Sequence, residues 1–205
     1  MDAVLVSHGH PDHCADLSPL LRARSLRDDP SGPLPIHALP GAVGPVLALD
    51  AGRAAARGAE LHEFRAGADF AVGPFHVTTF ELPHFIPSVG FRLHAGEEVF
   101  AYTGDTGPSP NLEPLAAGAD LLLAEATYIA EVPVEDVRFL SSAEQAGRLA
   151  HRAHARRLLL THVWPGTDRD VLEHAAREPY DGQVGTATAG ETIDLSHRVA
   201  GHQSF

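Results

Sequence analysis

Ser7-His8-Gly9-His10-Pro11-Asp12-His13 follows directly on the apolar run Ala3-Val4-Leu5-Val6, so a buried strand ends in a turn carrying four groups able to hold a metal. Neutral imidazole and carboxylate are the donors zinc accepts when thiolate is absent, and a turn can aim alternate side chains into one pocket. A chain with 14 His residues can produce such a string by accident. Random placement would do so in well under roughly one per cent of such chains, so the string is read as a metal-binding turn.

Working outward, Asp2 to Ser7 reads as a strand and residues 15 to 27 as a helix. A Pro/Ser/Gly loop over 30 to 35 precedes a short strand from Pro35 to Leu39, and an Ala-rich helix is expected from about 43 to 57. From Glu60 to Thr103 the texture turns β: ELHEF, FHVTTFEL, SVGFRL and EEVFAYTG are separated by Gly and Pro turns. From Asn111 helices and strands alternate. Ala119 to Ala126 and Arg157 to Val163 are buried strands. Ser141 with Glu144 forms a capping box opening a helix that runs to about Ala153. A last helix near 168 to 177 leads to two final strands, near 183 to 188 and 191 to 195. Two β-rich segments flanked by helices predict a four-layer α/β sandwich, helices outside and two mixed sheets inside. His84, Asp105 and His162, like the first turn, fall at predicted strand ends, where α/β folds collect ligands.

With 205 residues, 44% of them hydrophobic, the chain is expected to form a single domain over 1–205. No apolar run approaches the ~18 residues of a membrane span, and no leader-like segment precedes the first strand, so a cytoplasmic protein with no membrane partner is expected. The single cysteine, Cys14, has no partner for an internal disulfide. The 27 acidic and 15 basic residues give a formal charge of -12, which argues against a nucleic-acid partner gripped by a broad basic face. A small anionic substrate remains compatible, because two divalent cations outweigh Asp12 and Asp105 and keep the site positive. All 15 basic residues are Arg, which excludes any lysine mechanism.

The order of these strings resembles the metallo-β-lactamase superfamily along nearly the whole chain: SHGHPDH, LPHFIPSVGFRL, YTGDTG and LLLTHV stand where that family has H-x-H-x-D-H, a later His, a Gly-Asp pair and a final His. The resemblance implies the αββα sandwich and two divalent ions, zinc expected, with manganese or iron acceptable to the same donors. His8, His10 and His84 would hold one ion and Asp12, His13 and His162 the second. Asp105 would bridge them, and Glu125 would support a ligating His from behind by a hydrogen bond. Ser-Val-Gly-Phe-Arg after His84 and Gly-Asp-Thr-Gly-Pro around Asp105 are similar to the branch containing tRNase Z and the zinc phosphodiesterases.

Three departures count against tRNase Z itself. Ala124 and Leu140 stand where that enzyme has histidines for the leaving group, only twenty residues separate His84 from Asp105 and leave no room for a tRNA-binding arm, and the chain is acidic. The subgroup of class II-like cyclic-nucleotide phosphodiesterases is the better resemblance. It implies a phosphodiesterase for a small, cyclic nucleotide, in which Asp12 and Asp105 would be catalytic and two ions roughly 3.5 to 4 Å apart would share a bridging water that supplies hydroxide near neutral pH. The alternatives are a tRNA 3′-processing endoribonuclease and a metal-binding remnant without turnover. A homodimer is implied by resemblance alone. Family members usually carry a Gly-rich loop and a strand ending in Asp-x-Gly ahead of the first turn, so the domain is expected to be shortened at its N-terminus, its first sheet lacking strands and exposing an edge.

Other residues are read more plainly. Thr106 and Thr161 are expected to bond backbone, and Cys14 to be a small buried thiol. His151 and His154 are placed on an exposed helix face. His37, His62, His76, His94, His174, His197 and His202 show no ligand spacing. Arg92 and Arg138 are candidates for contact with a substrate phosphate or base.

Overall fold

A computed structural model describes residues 1–26, 32–49 and 58–195. The strands are β1 (Val4–Leu5), β2 (Leu34–Ala38), β3 (Ala59–Glu63), β4 (Asp69–Val72), β5 (Phe75–Leu82), β6 (Ser88–Ala95), β7 (Glu98–Tyr102), β8 (Leu121–Glu125), β9 (Arg157–Thr161) and β10 (Gln183–Thr186). The helices are α1 (Pro11–Cys14), α2 (Leu17–Ser25), α3 (Gly44–Leu47), α4 (Leu112–Ala116), α5 (Ala143–Arg152) and α6 (Arg169–Arg177).

They form two sheets. The smaller has the order β1-β2-β3, and the larger β10-β9-β8-β7-β6-β5-β4. In the larger sheet β4 to β7 are antiparallel neighbours, as short turns allow, whereas β7 to β10 run parallel because α4, α5 and α6 each carry the chain back across one face. The smaller sheet is wholly parallel rather than mixed.

Three apolar clusters make the layers. Leu17, Leu21, Val43 and Val46 cover Leu34, Ile36 and Ala38 on the outside of the small sheet. Leu39, Phe64, Val77, Val89 and Phe91 fill the space between the sheets. Leu115, Ala146, Leu149, Ala150 and Leu172 pack on Leu122, Leu158 and Leu160 at the far face. The result is helix, sheet, sheet, helix, the four-layer sandwich expected. Strand polarity places the site: β5, β7, β8 and β9 all point the same way, so the residues that follow them collect along one edge of the larger sheet.

Several local expectations change. β1 is shorter than read and only half-buried, since it is an edge strand. β4 was absent from the pattern reading; it pairs with β5 through a tight Gly73-Pro74 connection. The α5 capping box uses Ser142 and Gln145 rather than Ser141 and Glu144, because Ser141 is held by tertiary bonds, its hydroxyl donating to the Thr106 carbonyl and its amide to Glu125. Residues 191–194 carry no regular secondary structure and pair with no strand among the described residues, so the last expected strand is not formed there. Of the helix expected over 43–57 the described part is α3, and residues 50–57 lie outside the described residues.

Candidate metal centre

The first turn supplies four of the donors. His8 leaves β1 fully buried, and Pro11, which lacks an amide hydrogen and suits a first helical position, starts the one-turn helix α1 that carries Asp12 and His13. Gly104 allows Asp105 to enter after β7: its φ of 60° is easy only for glycine, and a Cβ there would sit 3.1 Å from the Ser7 Cβ and the Val89 carbonyl. His162 follows β9 at φ 55°, a left-handed conformation that costs a non-glycine residue about 1 kcal/mol or more. Strain of this kind persists where the surroundings impose it.

These residues meet. His8, His10, His84 and Asp105 form one group and Asp12, His13, Asp105 and His162 another, with donor atoms in each within 4.8 Å of one another. In the first, His10 Nδ1 lies 3.1 Å from His8 Nε2 and 3.0 Å from His84 Nε2, while Asp105 Oδ2 is 3.6 Å and 3.8 Å from those two imidazoles. In the second, Asp105 Oδ2 is 3.2 Å from His13 Nε2 and 3.1 Å from His162 Nε2, and Asp12 Oδ2 is 3.4 Å from both. A tetrahedral zinc with bonds of ~2.0–2.1 Å sets its donor atoms roughly 3.3 Å apart, so both groups have the spacing such an ion requires. Asp105 Oδ1 is buried with no hydrogen-bond partner among the described residues, a costly state for a carboxylate oxygen that a cation would relieve. The residues present therefore fit two divalent ions sharing Asp105.

The hydrogen bonds behind the imidazoles fix which nitrogen carries the proton. His84 donates from Nδ1 to the Phe139 carbonyl at 2.9 Å, leaving the Nε2 lone pair facing inward. The Thr127 hydroxyl donates to Glu125 Oε1 at 2.6 Å and so accepts from His162 Nδ1 at 2.8 Å. Glu125 itself stands 3.9 Å from that nitrogen. Its expected support of a histidine thus passes through Thr127, which the sequence reading missed; the only signal was the position two residues after Glu125, where β8 has ended and a side chain can turn toward β9. Glu125 also accepts from the amides of Thr106 and Ser141, at 2.8 Å and 3.2 Å. Burial pushes this carboxyl up to about 8, although all three bonds pull the other way.

Burial, reinforced by His13, pulls His8 down to about 3 and keeps it neutral, the form a metal requires. Burial likewise lowers His84, against the bond to Phe139. For Asp105 burial opposes ionisation, yet the bond from His13 and the fields of His162, His13 and His8 hold it below the usual carboxylate range. His13 is displaced upward: burial works against its charge and the contact with Asp105 outweighs it.

The remaining candidates fall elsewhere. Cys14 is buried, its thiol donating to the His10 carbonyl. The Thr106 hydroxyl donates to the Gly107 carbonyl. His151 and His154 are exposed. Arg92 is not at the site: it lies four residues along β6 from Ser88, donating to the Leu115 carbonyl and to His94. Arg138 stacks over Phe139, whose carbonyl holds His84. Ala124 and Leu140 are buried and offer no proton. No helix among the described residues is long and apolar enough to cross a membrane.

A two-sheet sandwich with a His/Asp cluster at the strand ends defines a metallo-hydrolase architecture. The profile of the beta-lactamase superfamily domain matches residues 1–163, and the chain belongs to the metallo-β-lactamase superfamily of metal-dependent hydrolases. An uncharacterized protein of Mycobacterium leprae is 32% identical over 201 residues, covering 94% of this chain and 70% of its own. A ribonuclease Z of Mycobacterium bovis is 30% identical over 232 residues, covering 98% and 80%. The crystal structure of the metallo-beta-lactamase fold protein YhfI from Bacillus subtilis superimposes with a TM-score of 0.80 at 28% identity, over 91% of this chain and 74% of that one.

Proposed function

We propose that this chain is a binuclear metal-dependent phosphodiesterase for a small nucleotide, cyclic nucleotides first among them. The observation that carries the reading is the convergence of two four-residue groups on Asp105, whose second oxygen is buried without a partner among the described residues. The kinship with a ribonuclease Z, 30% identical, supports a phosphodiester as the bond attacked.

His8, His10 and His84 would hold one ion, Asp12, His13 and His162 the other, and Asp105 both. Ions bound there supply Lewis acidity toward phosphoryl oxygen and an activated water at neutral pH. The chain's own residues do the rest. Asp12, with its side chain 60% exposed, turns Oδ2 toward the cluster and leaves its other carboxylate oxygen, at the open side, able to orient a water and accept its proton. The Phe139 carbonyl and the Thr127–Glu125 pair hold the rings of His84 and His162 in the productive tautomer. Since Ala124 and Leu140 cannot donate, the proton for the leaving oxygen comes from Asp12 or solvent.

The second reading, a tRNA 3′-processing endoribonuclease, draws on the same relative. The segment between His84 and Asp105 is taken up by the β6–β7 hairpin, which leaves no arm for tRNA. Elemental analysis and hydrolysis of bis(p-nitrophenyl) phosphate, cAMP and a precursor tRNA by the native chain and Asp105→Ala separate the readings. About two ions per chain and phosphodiester turnover lost in the variant are expected. Specific cleavage of the precursor tRNA would replace the proposal with the endoribonuclease, and retained metal without any turnover would replace it with a metal-binding remnant.

A further inference from the structure

Next to the cluster lies a cavity of about 410 Å³ whose wall includes His162 together with Trp164, Thr167, Arg169 and Thr186. Its floor is built by sequence. Trp164-Pro165-Gly166-Thr167 makes a tight turn, the Thr167 amide donating to the Trp164 carbonyl at 3.1 Å with Gly166 at φ 86°. Pro and Gly at the two central positions are the residues a type II turn selects, so the turn is stiff and holds Trp164 two residues from His162. Trp164, the single tryptophan of the chain, is 59% exposed, although an aromatic this large ordinarily buries most of its surface.

Arg169 opens α6 on the same wall. Among the described residues it has no carboxylate partner; its guanidinium donates to the Thr188 hydroxyl at 3.1 Å. Arg148, Arg156 and Arg177 are each paired with an acid, as a chain of net charge -12 makes easy. The neighbouring Asp168 is turned away into the start of α6, its Oδ1 accepting from the amides of Asp170 and Val171. One cavity therefore combines an exposed aromatic face, an uncompensated guanidinium fork and threonine side chains, and it shares a wall residue with the metal centre.

We propose that this cavity is a nucleotide subsite in which a nucleobase stacks on Trp164 and a phosphate beyond the scissile one pairs with Arg169. Resting on the phosphodiesterase reading for its role in turnover, it sharpens that reading: nucleotides that carry a second phosphate, such as a cyclic dinucleotide, should be preferred over a cyclic mononucleotide. A planar guanidinium matches two phosphate oxygens at once, and an indole stacks on any base.

The single tryptophan makes the test site-specific. Intrinsic fluorescence of the full-length, zinc-supplemented protein, excited at the red edge of the indole band, is titrated with adenosine 5′-monophosphate and with adenosine 3′,5′-bisphosphate. Quenching by both is expected, with the bisphosphate bound about tenfold more tightly, the gain of a charge-assisted bond. Arg169→Gln should erase that difference while leaving the affinity for the monophosphate unchanged. In turnover of the p-nitrophenyl ester of thymidine 5′-phosphate, Trp164→Ala should raise KM with kcat retained, and Trp164→Phe should restore it. No quenching, or a bisphosphate preference that survives Arg169→Gln, would overturn the subsite. Quenching without turnover of any phosphodiester would uphold the subsite and sink the phosphodiesterase reading; turnover without quenching would do the reverse.

Discussion

The two halves of the metal centre differ in how they are enclosed. His8 and His84 are shut in, their side chains 0% and 2% exposed, with the Ser7 hydroxyl and the Phe139 carbonyl behind them. Across Asp105 the second group is open: Asp12 is 60% exposed and His162 29%, and His162 stands in a left-handed backbone conformation on a loop. Buried donors locked by hydrogen bonds have little entropy to lose when an ion arrives, whereas exposed ones must be ordered against water. On the proposed binuclear reading, the closed half would retain an ion and the open half would exchange water and admit substrate.

The largest effect that would break this contrast comes from paired deletions. His8→Ala should lose the enclosed ion and also lower Tm by several degrees, because it empties a fully buried position. His162→Ala should lose only the open ion at nearly unchanged Tm. Elemental analysis beside thermal melting checks both, and equal melting losses would mean the halves are not different in kind. A more modest effect is expected of Thr127→Val, which removes the hydroxyl that links His162 to Glu125: affinity for the more weakly held ion should drop about 10- to 100-fold, with the tighter ion unaffected, as chelator competition would show. The smallest expected change sharpens the role of strain. His162→Gly removes the left-handed penalty, so the metal-free protein should become more stable by about 1 kcal/mol in urea even as the open ion is lost. A loss of stability instead would show that the loop holds His162 without strain.

Legibility follows the same division. Short-range patterns located nearly every strand: alternation marked FHVTTFEL, and continuous apolar runs marked LLLAE and RLLLT, because a sheet's burial is written with period two or, when both faces are covered, without interruption. What failed was decided by partners distant in sequence. Ser141 has the makings of a helix cap, but Glu125 and Thr106 claim it and the cap moves to Ser142. Arg92 was a candidate for phosphate, but β6 carries it away from the cluster to the Leu115 carbonyl.

The sequence by itself singled out the candidate donors and their order, His8, His10, Asp12, His13, His84, Asp105 and His162, because ligand chemistry is a property of side-chain type and each candidate lies at a strand end or in the turn that follows one. Only the tertiary structure decided that Asp105 lies between the two groups, that Thr127 rather than Glu125 touches His162, and that Trp164 and Arg169 share one cavity. Those relations depend on parallel strands being brought side by side by intervening helices, a distance in space that no local pattern of residues encodes.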